Sequence, residues 1–363
     1  MSVTINGTNG VTYNDGSLQP SAPVGKNKII NGDMRVDQRD GTATINATGV
    51  TYNVDRWLGR GVGSAGVFTL AQDTTSPANF TNSLKATVTT ADSSIASGSS
   101  YRIQQMVEGY NMADLNWGTS DAQSVSLSFW VRSSQTGTFG GSVGNGDFNR
   151  FNVFSYTISS ANTWEYKTVT IAGDTSGTWV TNNTLGLRLN FSLGAGSTLL
   201  ASAGSWGSST KEGVTGQTNV IATNSATFYV TGVQLEANTT ATPFENLQYG
   251  TQLELCQRYY QQYGSSSVTP IGAGVWFTTT QVLGLLTFPV IMRTAPTITT
   301  TGTGWIKAYR DGSSTATGSG FFDSIGNHSA RFNMSGWDVA GTAGMGAYLQ
   351  LVADKYIFIS AEL

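Results

Sequence analysis

Cysteine and histidine are nearly absent from this 363-residue chain, with one of each, Cys256 and His328. A single cysteine excludes an intrachain disulfide, so stability has to come from packing or from association with other chains. With two such residues in all, a transition-metal centre built by one chain is excluded as well. Charge is scarce too: 11% of residues are Asp, Glu, Lys or Arg, and the net charge is −3. The cations are scattered singly, without the basic stripe that neutralises phosphates, so nucleic acid is not an expected partner. No apolar run is long enough to span a bilayer, and membrane insertion is not expected. The opening MSVTINGTNG lacks the regions of a signal peptide, so the expectation is a soluble protein not exported by the standard route.

What is abundant is glycine, 44 residues, together with Ser, Thr and Asn. That mixture disfavours long helices and favours many short strands joined by turns, which makes the expected class all-β. Residues 1–26 are polar and broken by NG, DG and two prolines. Val3, Ile5, Val11 and Tyr13 suit two short strands around Asn9-Gly10 but cannot bury a core alone, so this stretch reads as an arm.

Residues 27–246 carry a strong strand signal. In VSLSFWVR, Val125, Leu127, Phe129 and Val131 share a face; in LGLRLNFSL, the leucines and Phe191 share one face while Arg188, Asn190 and Ser192 share the other. WEYKTVTI changes parity between Thr168 and Val169, and TFYVTGVQLE does so near Gly232, as bulges would require. Half-buried strands spaced by Gly/Ser/Asn loops predict a jelly-roll β-sandwich. Apolar spacing predicts a connecting helix over Leu247–Gln262 within a seam at 247–264. Strands resume over 265–363, predicting a smaller C-terminal β-sandwich whose last two strands, in AYLQLVADKYIFIS, form a hairpin turning at Ala353–Lys355.

Chemical motifs are weak. Gly140-Gly-Ser142-Val-Gly144 matches a nucleophile elbow without the strand-to-helix context, and Gly61-Val-Gly63-Ser-Ala-Gly66 matches a dinucleotide fingerprint but precedes a strand. No catalytic residue is assigned, and the expectation is a non-enzyme. Trp117, Trp179 and Trp206 stand in polar, loop-like settings where an indole either stacks on a sugar ring or closes over the core. In ELCQRYYQQYG, helical spacing places Cys256 beside leucines with no basic cluster to activate it. Cys256, Arg258, Tyr259 and Tyr260 are therefore expected to form a domain seam.

Several segments, in order, resemble a family of bacteriophage tail fibres and minor tail proteins: KIINGDMRVDQR (28–39), VDRW (54–57), YRIQQMVEG (101–109), SFWVR (128–132), TGVQLEANTTATPFE (231–245) and ELCQRYY (254–260), with TINGTNGVTYNDGS (4–17) resembling a motif that begins fibre modules. The resemblance implies a jelly roll like that of carbohydrate-binding modules, then a variable β-domain, in a homotrimer belonging to the virion. It implies residues 1–26 as the attachment to other virion proteins and host surface polysaccharide as the target. No cofactor is required. Related modules hold a structural calcium, which here would use Asn31, Asp33 and Glu236; the same residues also suit an ordinary turn and a surface glutamate. A capsid decoration protein or head fibre is the alternative within the virion. A glycan-binding or depolymerase module is the alternative from another class.

Overall fold

The computed structural model describes residues 4–6, 10–12, 18–19, 25–63, 65–310 and 314–363, with the side chains of 1–24 and 310–316 left undescribed. Thr4–Asn6 pairs antiparallel with Gly10–Thr12, which pairs with Leu18–Gln19, giving the early strands expected around Asn9-Gly10. Of the expected attachment arm, 1–26, the side chains of residues 1–24 lie outside the described residues.

The chain divides into two compact units. One comprises residues 1–35, 41–53 and 57–248; the other comprises 36–40, 54–56 and 249–363. The first is a sandwich of two antiparallel sheets. One sheet has six strands, in the order Glu165–Ile171, Val125–Ser133, Thr227–Glu236, Ser83–Thr90, Val67–Asp73, Thr42–Ile45. The other has seven, in the order Trp206–Gly207, Phe151–Ile158, Gly137–Asn145, Leu185–Ala195, Ser100–Glu108, Trp57–Val62, Val50–Tyr52. Sequence neighbours are often separated in the sheets, as jelly rolls require. Leu127, Phe129, Val131, Leu187, Leu189 and Phe191 are fully buried between the sheets, as their alternation predicts.

Of three local expectations, two change. The bulge at Gly232 is present: register slips between Ser128 and Trp130 opposite it, and Gly232 has φ +60°, a conformation that glycine adopts without steric cost. The bulge expected at Thr168–Val169 is absent, because Glu165–Ile171 pairs with Val125–Val131 in unbroken register. The break in apolar parity arises instead because Tyr166 points outward. Arg188, Asn190 and Ser192, expected on a solvent face, are buried. The segment around Glu212–Val214 covers Asn190 and Ser192, with Val214 so close to Gly140 that any side chain there would collide with it, while the Phe148 ring lies over Arg188.

The second unit is all-β in its sheets, but its six main strands close into a barrel where two facing sheets were expected. The order is Thr269–Trp276, Val282–Thr287, Ser329–Ser335, Ser314–Asp323, Ile306–Arg310, Gly346–Leu351, and the last pairs back to the first. Closure removes the exposed edges that two small sheets would leave. Trp276, Trp305, Ile306, Phe332, Met334 and Leu349 fill its core. The helix is shorter than predicted, Tyr249–Gln257, and Tyr260–Tyr263 is a strand. That strand joins Ile357–Ser360 and Thr297–Thr300 in a three-stranded sheet. The final hairpin is therefore also corrected: Gly346–Leu351 stays in the barrel, while Ile357–Ser360 leaves it for this sheet. A turn with Asp354 at φ +59° separates the two strands.

Candidate functional site

The outer face of the six-stranded sheet carries an aromatic groove of about 370 Å³. Its construction starts at the Gly232 bulge. A Cβ there would sit 2.6 Å from the Phe80 ring and 3.2 Å from Trp130, so only glycine lets these rings approach the strand. Trp130 and Tyr166 are direct cross-strand partners, with ring centroids 5.4 Å apart and planes tilted by 49°. Phe80 and Phe244 form an edge-to-face pair at 5.2 Å. Tyr166 is exposed and the other three rings are half-buried, while Asn79 and Asn246 add exposed amides beside them. Such a groove offers apolar ring faces at its floor and hydrogen-bonding groups at its rim. That combination suits a ligand with one apolar face and polar edges, as a pyranose ring has.

Trp130 lies on the outer face of the sheet. The signal for the groove was present in the sequence. Trp130 stands out of phase with Phe129 and Val131, and Tyr166 produces the parity break described above.

The three tryptophans singled out from the sequence do come together. Trp117 and Trp179 lie 4.7 Å apart, Trp117 and Trp206 5.3 Å, and Trp179 and Trp206 5.5 Å, all edge-to-face. Their indole N–H groups are all engaged, donating to Gln123 O, to the Asp174 carboxylate and Ser176 O, and to Ala172 O respectively. Trp117 and Trp179 are buried and Trp206 is half-buried, so the cluster pins loops together and leaves one indole part-open.

The residues named for calcium do not form a fitting donor set. Asn31 is buried, and its carbonyl accepts from Trp57 Nε1. Asp33 Oδ2 accepts from Arg35, leaving Oδ1 buried without a partner. The oxygens of Glu236 accept from the Thr242 N–H (2.8 Å) and hydroxyl (2.7 Å) and from Gln234 Nε2 (2.9 Å), with Lys26 Nζ at 4.0 Å. A calcium ion needs several unoccupied oxygens, and here cations and donors already hold most of them. Among the described residues, no three His, Cys, Asp or Glu side chains are grouped as a metal site.

In the second unit, the motif segments converge. Arg39 donates to Asp55 Oδ1 (2.7 Å) and Glu362 Oε1 (2.9 Å), while Arg56 pairs with Glu362 Oε2. Tyr260 lies 3.7 Å under the Arg39 guanidinium and Tyr259 3.6 Å under that of Arg56, so both tyrosines act as cation–π platforms. Arg293 secures the backbone of the same tail, donating to the carbonyls of Ala361 and Glu362. Arg258 contributes backbone bonds, its N–H to Glu254 O and its carbonyl to Arg293 N–H. Burial pushes the Asp55 carboxyl up to about 7, against the pull of Arg39 and the Gln38 N–H.

Cys256 is fully buried beside this network, and burial raises its thiol well above the ordinary range. A basic group is in fact near it, Arg56, supplied from 200 residues upstream; desolvation and Asp55 outweigh it. Leu255, expected beside the cysteine in the interior, is exposed. His328 is exposed on the turn before Ser329–Ser335. The two motif glycine runs are structural. Ser142 lies buried in mid-strand, receiving a hydrogen bond from Asn190 Nδ2, and Gly66 leads into Val67–Asp73.

No family model matches the chain, and no curated protein matches it. Solved structures with partial likeness include the enzymatically active domain of tailspike protein 4 of bacteriophage CBA120 (14% identity, 61% of this chain and 24% of that one, TM-score 0.28). Others are a putative sugar binding protein from Bacteroides thetaiotaomicron (13%, 58% and 100%, 0.34) and the family 11 carbohydrate-binding module of a Clostridium thermocellum cellulosomal cellulase (12%, 54% and 99%, 0.27). The match thus spans about a quarter of the tailspike domain. At such TM-scores these likenesses carry no argument about the site.

Proposed function

We propose that this protein is a non-enzymatic, glycan-binding structural component of a bacteriophage particle, a tail fibre or tail-associated adhesin that contacts host surface polysaccharide. The observation that carries the glycan reading is the groove around Gly232, where Trp130, Tyr166, Phe80 and Phe244 present ring faces with exposed amides at the rim. A pyranose stacks its C–H face on the rings, and its hydroxyls reach Asn79 and Asn246. Binding excludes water from the apolar floor, and the rings supply area at little entropic cost.

The virion assignment rests on the motif segments, from KIINGDMRVDQR to ELCQRYY. On this reading residues 1–26 attach to other virion proteins and three chains associate. The reading is tested by binding of the labelled protein to host cells and to a panel of surface oligosaccharides. Wild type is expected to bind, Trp130→Ala to lose binding, and no reducing sugar to be released. Release of reducing ends would replace the adhesin with a depolymerase. Antibody labelling of the native particle, seen by electron microscopy, separates a tail position from head decoration. A stable monomer at micromolar concentration in sedimentation would exclude the trimer.

A further inference from the structure

The polar face of the seven-stranded sheet holds an unbalanced, buried cluster of guanidiniums. Arg60 and Arg102 are direct cross-strand partners, as are Gln104 and Asn190, and Ser192 pairs with Arg102. The two-residue period puts Arg102 and Gln104 on the same side as Arg188, Asn190 and Ser192. Arg102, Gln104, Arg188 and Asn190 are buried, and Arg60 is half-buried.

Glu212, itself buried, is the carboxylate that holds them. Its Oε2 accepts from Asn190 Nδ2 at 2.8 Å and lies 3.5 Å from Arg102 Nε. Burial opposes the charge of Arg188 most strongly, Glu212 favours it, and Arg102 and Arg60 oppose it. Glu108, at the end of the same strand, stands opposite Leu185.

Arg102 and Arg188 therefore share Glu212, with Arg60 beside them as a further positive charge, and donors are left over. Both terminal nitrogens of Arg188, Nε of Arg60 and Arg102, both amide atoms of Gln104 and Oδ1 of Asn190 are buried without hydrogen-bond partners. Buried polar atoms are ordinarily satisfied, and a concentration of exceptions on one face marks a place meant for something else.

What closes over Arg188 is Phe148, whose ring lies 3.6 Å from the guanidinium, with Phe151 at 4.8 Å. Phe148 sits between the strands Gly137–Asn145 and Phe151–Ile158, is 41% exposed, and holds φ +60°, a left-handed conformation that a bulky residue rarely adopts. It is a part-exposed cover on a strained backbone.

We propose that this face is an anion site lidded by Phe148: when the ring swings out, Arg188 receives the carboxylate of an acidic sugar, a hexuronate residue, with Arg102 and Arg60 completing the charge balance. The two terminal nitrogens of a guanidinium match the two oxygens of a carboxylate in a forked pair. Gln104 and Asn190 take the sugar hydroxyls. The sugar as the source of the carboxylate rests on the glycan reading above; the anion chemistry does not.

The test titrates the full chain with an oligogalacturonate trimer and with a neutral galactose trimer, at low and high salt. The acidic trimer is expected to bind about tenfold or more tighter, as a charge-assisted pair implies, and to weaken as salt rises. Phe148→Ala is expected to strengthen binding of the acidic trimer several-fold, and Arg188→Met to abolish its advantage. Measurable binding of both trimers with equal affinity, or acidic binding that is unchanged in Phe148→Ala, overturns the inference. Sodium acetate, read by thermal shift, separates the two readings. If acetate stabilises wild type but not Arg188→Met while no oligosaccharide binds, the anion site stands and the glycan reading falls. If no anion stabilises the protein and Arg188→Met is the more stable chain, the cluster is structural and the inference falls.

Discussion

Glu362 is the keystone of the ionic network in the C-terminal unit, and its removal has a calculable effect. Its side chain is 7% exposed and accepts from Arg39 and from Arg56, the latter 1% exposed. Glu362→Ala takes a carboxylate from both arginines, while Arg56 keeps its stack on the Tyr259 ring and Arg39 keeps Asp55 and Tyr260. Removing one member of a buried pair costs about 3–5 kcal/mol because the surviving charge stays desolvated. The stacks on both tyrosines and the Asp55 pair offset part of this, so about 3 kcal/mol is the expected loss. For a unit of this size that lowers its midpoint by roughly 10 °C. The assay is thermal and guanidinium unfolding of the full chain followed by near-UV circular dichroism, with the jelly-roll transition as internal reference. Glu362→Gln, which keeps an acceptor but not the charge, is expected to fall between the two. A loss below about 1 kcal/mol in Glu362→Ala, the value of a surface pair, would refute the view that these charges are a buried unit.

Asp55 supplies a pH test. Its folded carboxyl is raised from 3.8 to about 7, so the folded state holds the extra proton. The resulting stabilisation is complete below about 4 and lost as pH rises through 7, and Asp55→Asn should flatten that slope in midpoint-against-pH curves. Cys256, buried with a raised thiol, should resist Ellman's reagent in the native protein at pH 8 and react at once in denaturant; fast native labelling would contradict its burial. Gly232→Ala should destabilise the jelly roll by about 1–2 kcal/mol through its left-handed φ, and it should also displace Phe80 and weaken glycan binding in the same sample.

Alternation made the sandwich strands legible. Leu127, Phe129, Leu189 and Phe191 announced their face by spacing alone, and Gly232 announced its bulge. The rest depended on partners far away in the chain. Nothing local in LGLRLNFSL shows that Phe148 will cover Arg188 or that residues near 213 will cover Asn190 and Ser192, so their polar side reads as solvent-facing. Barrel closure depends on Gly346–Leu351 returning to Thr269–Trp276, a pairing that alternation does not encode. The helix stops at Gln257 because Tyr260–Tyr263 is drawn into a sheet with Ile357–Ser360, a tertiary pull that outweighs helical spacing. Segments 36–40 and 54–56 belong with the C-terminal unit although 200 residues separate them from it. Their arginines therefore reached Tyr259, Tyr260 and Cys256 unannounced. At the candidate site, Tyr166 shows in the sequence only as an irregularity, because an outward aromatic and a register slip leave the same mark on one strand.

The most direct test of the account is isothermal titration of host-surface oligosaccharides against wild type, Trp130→Ala and Tyr166→Ala. Saturable binding by wild type, lost by tenfold or more in Trp130→Ala with unchanged unfolding midpoint, is the predicted result. Equal binding by all three chains, or none by any of them, would contradict it.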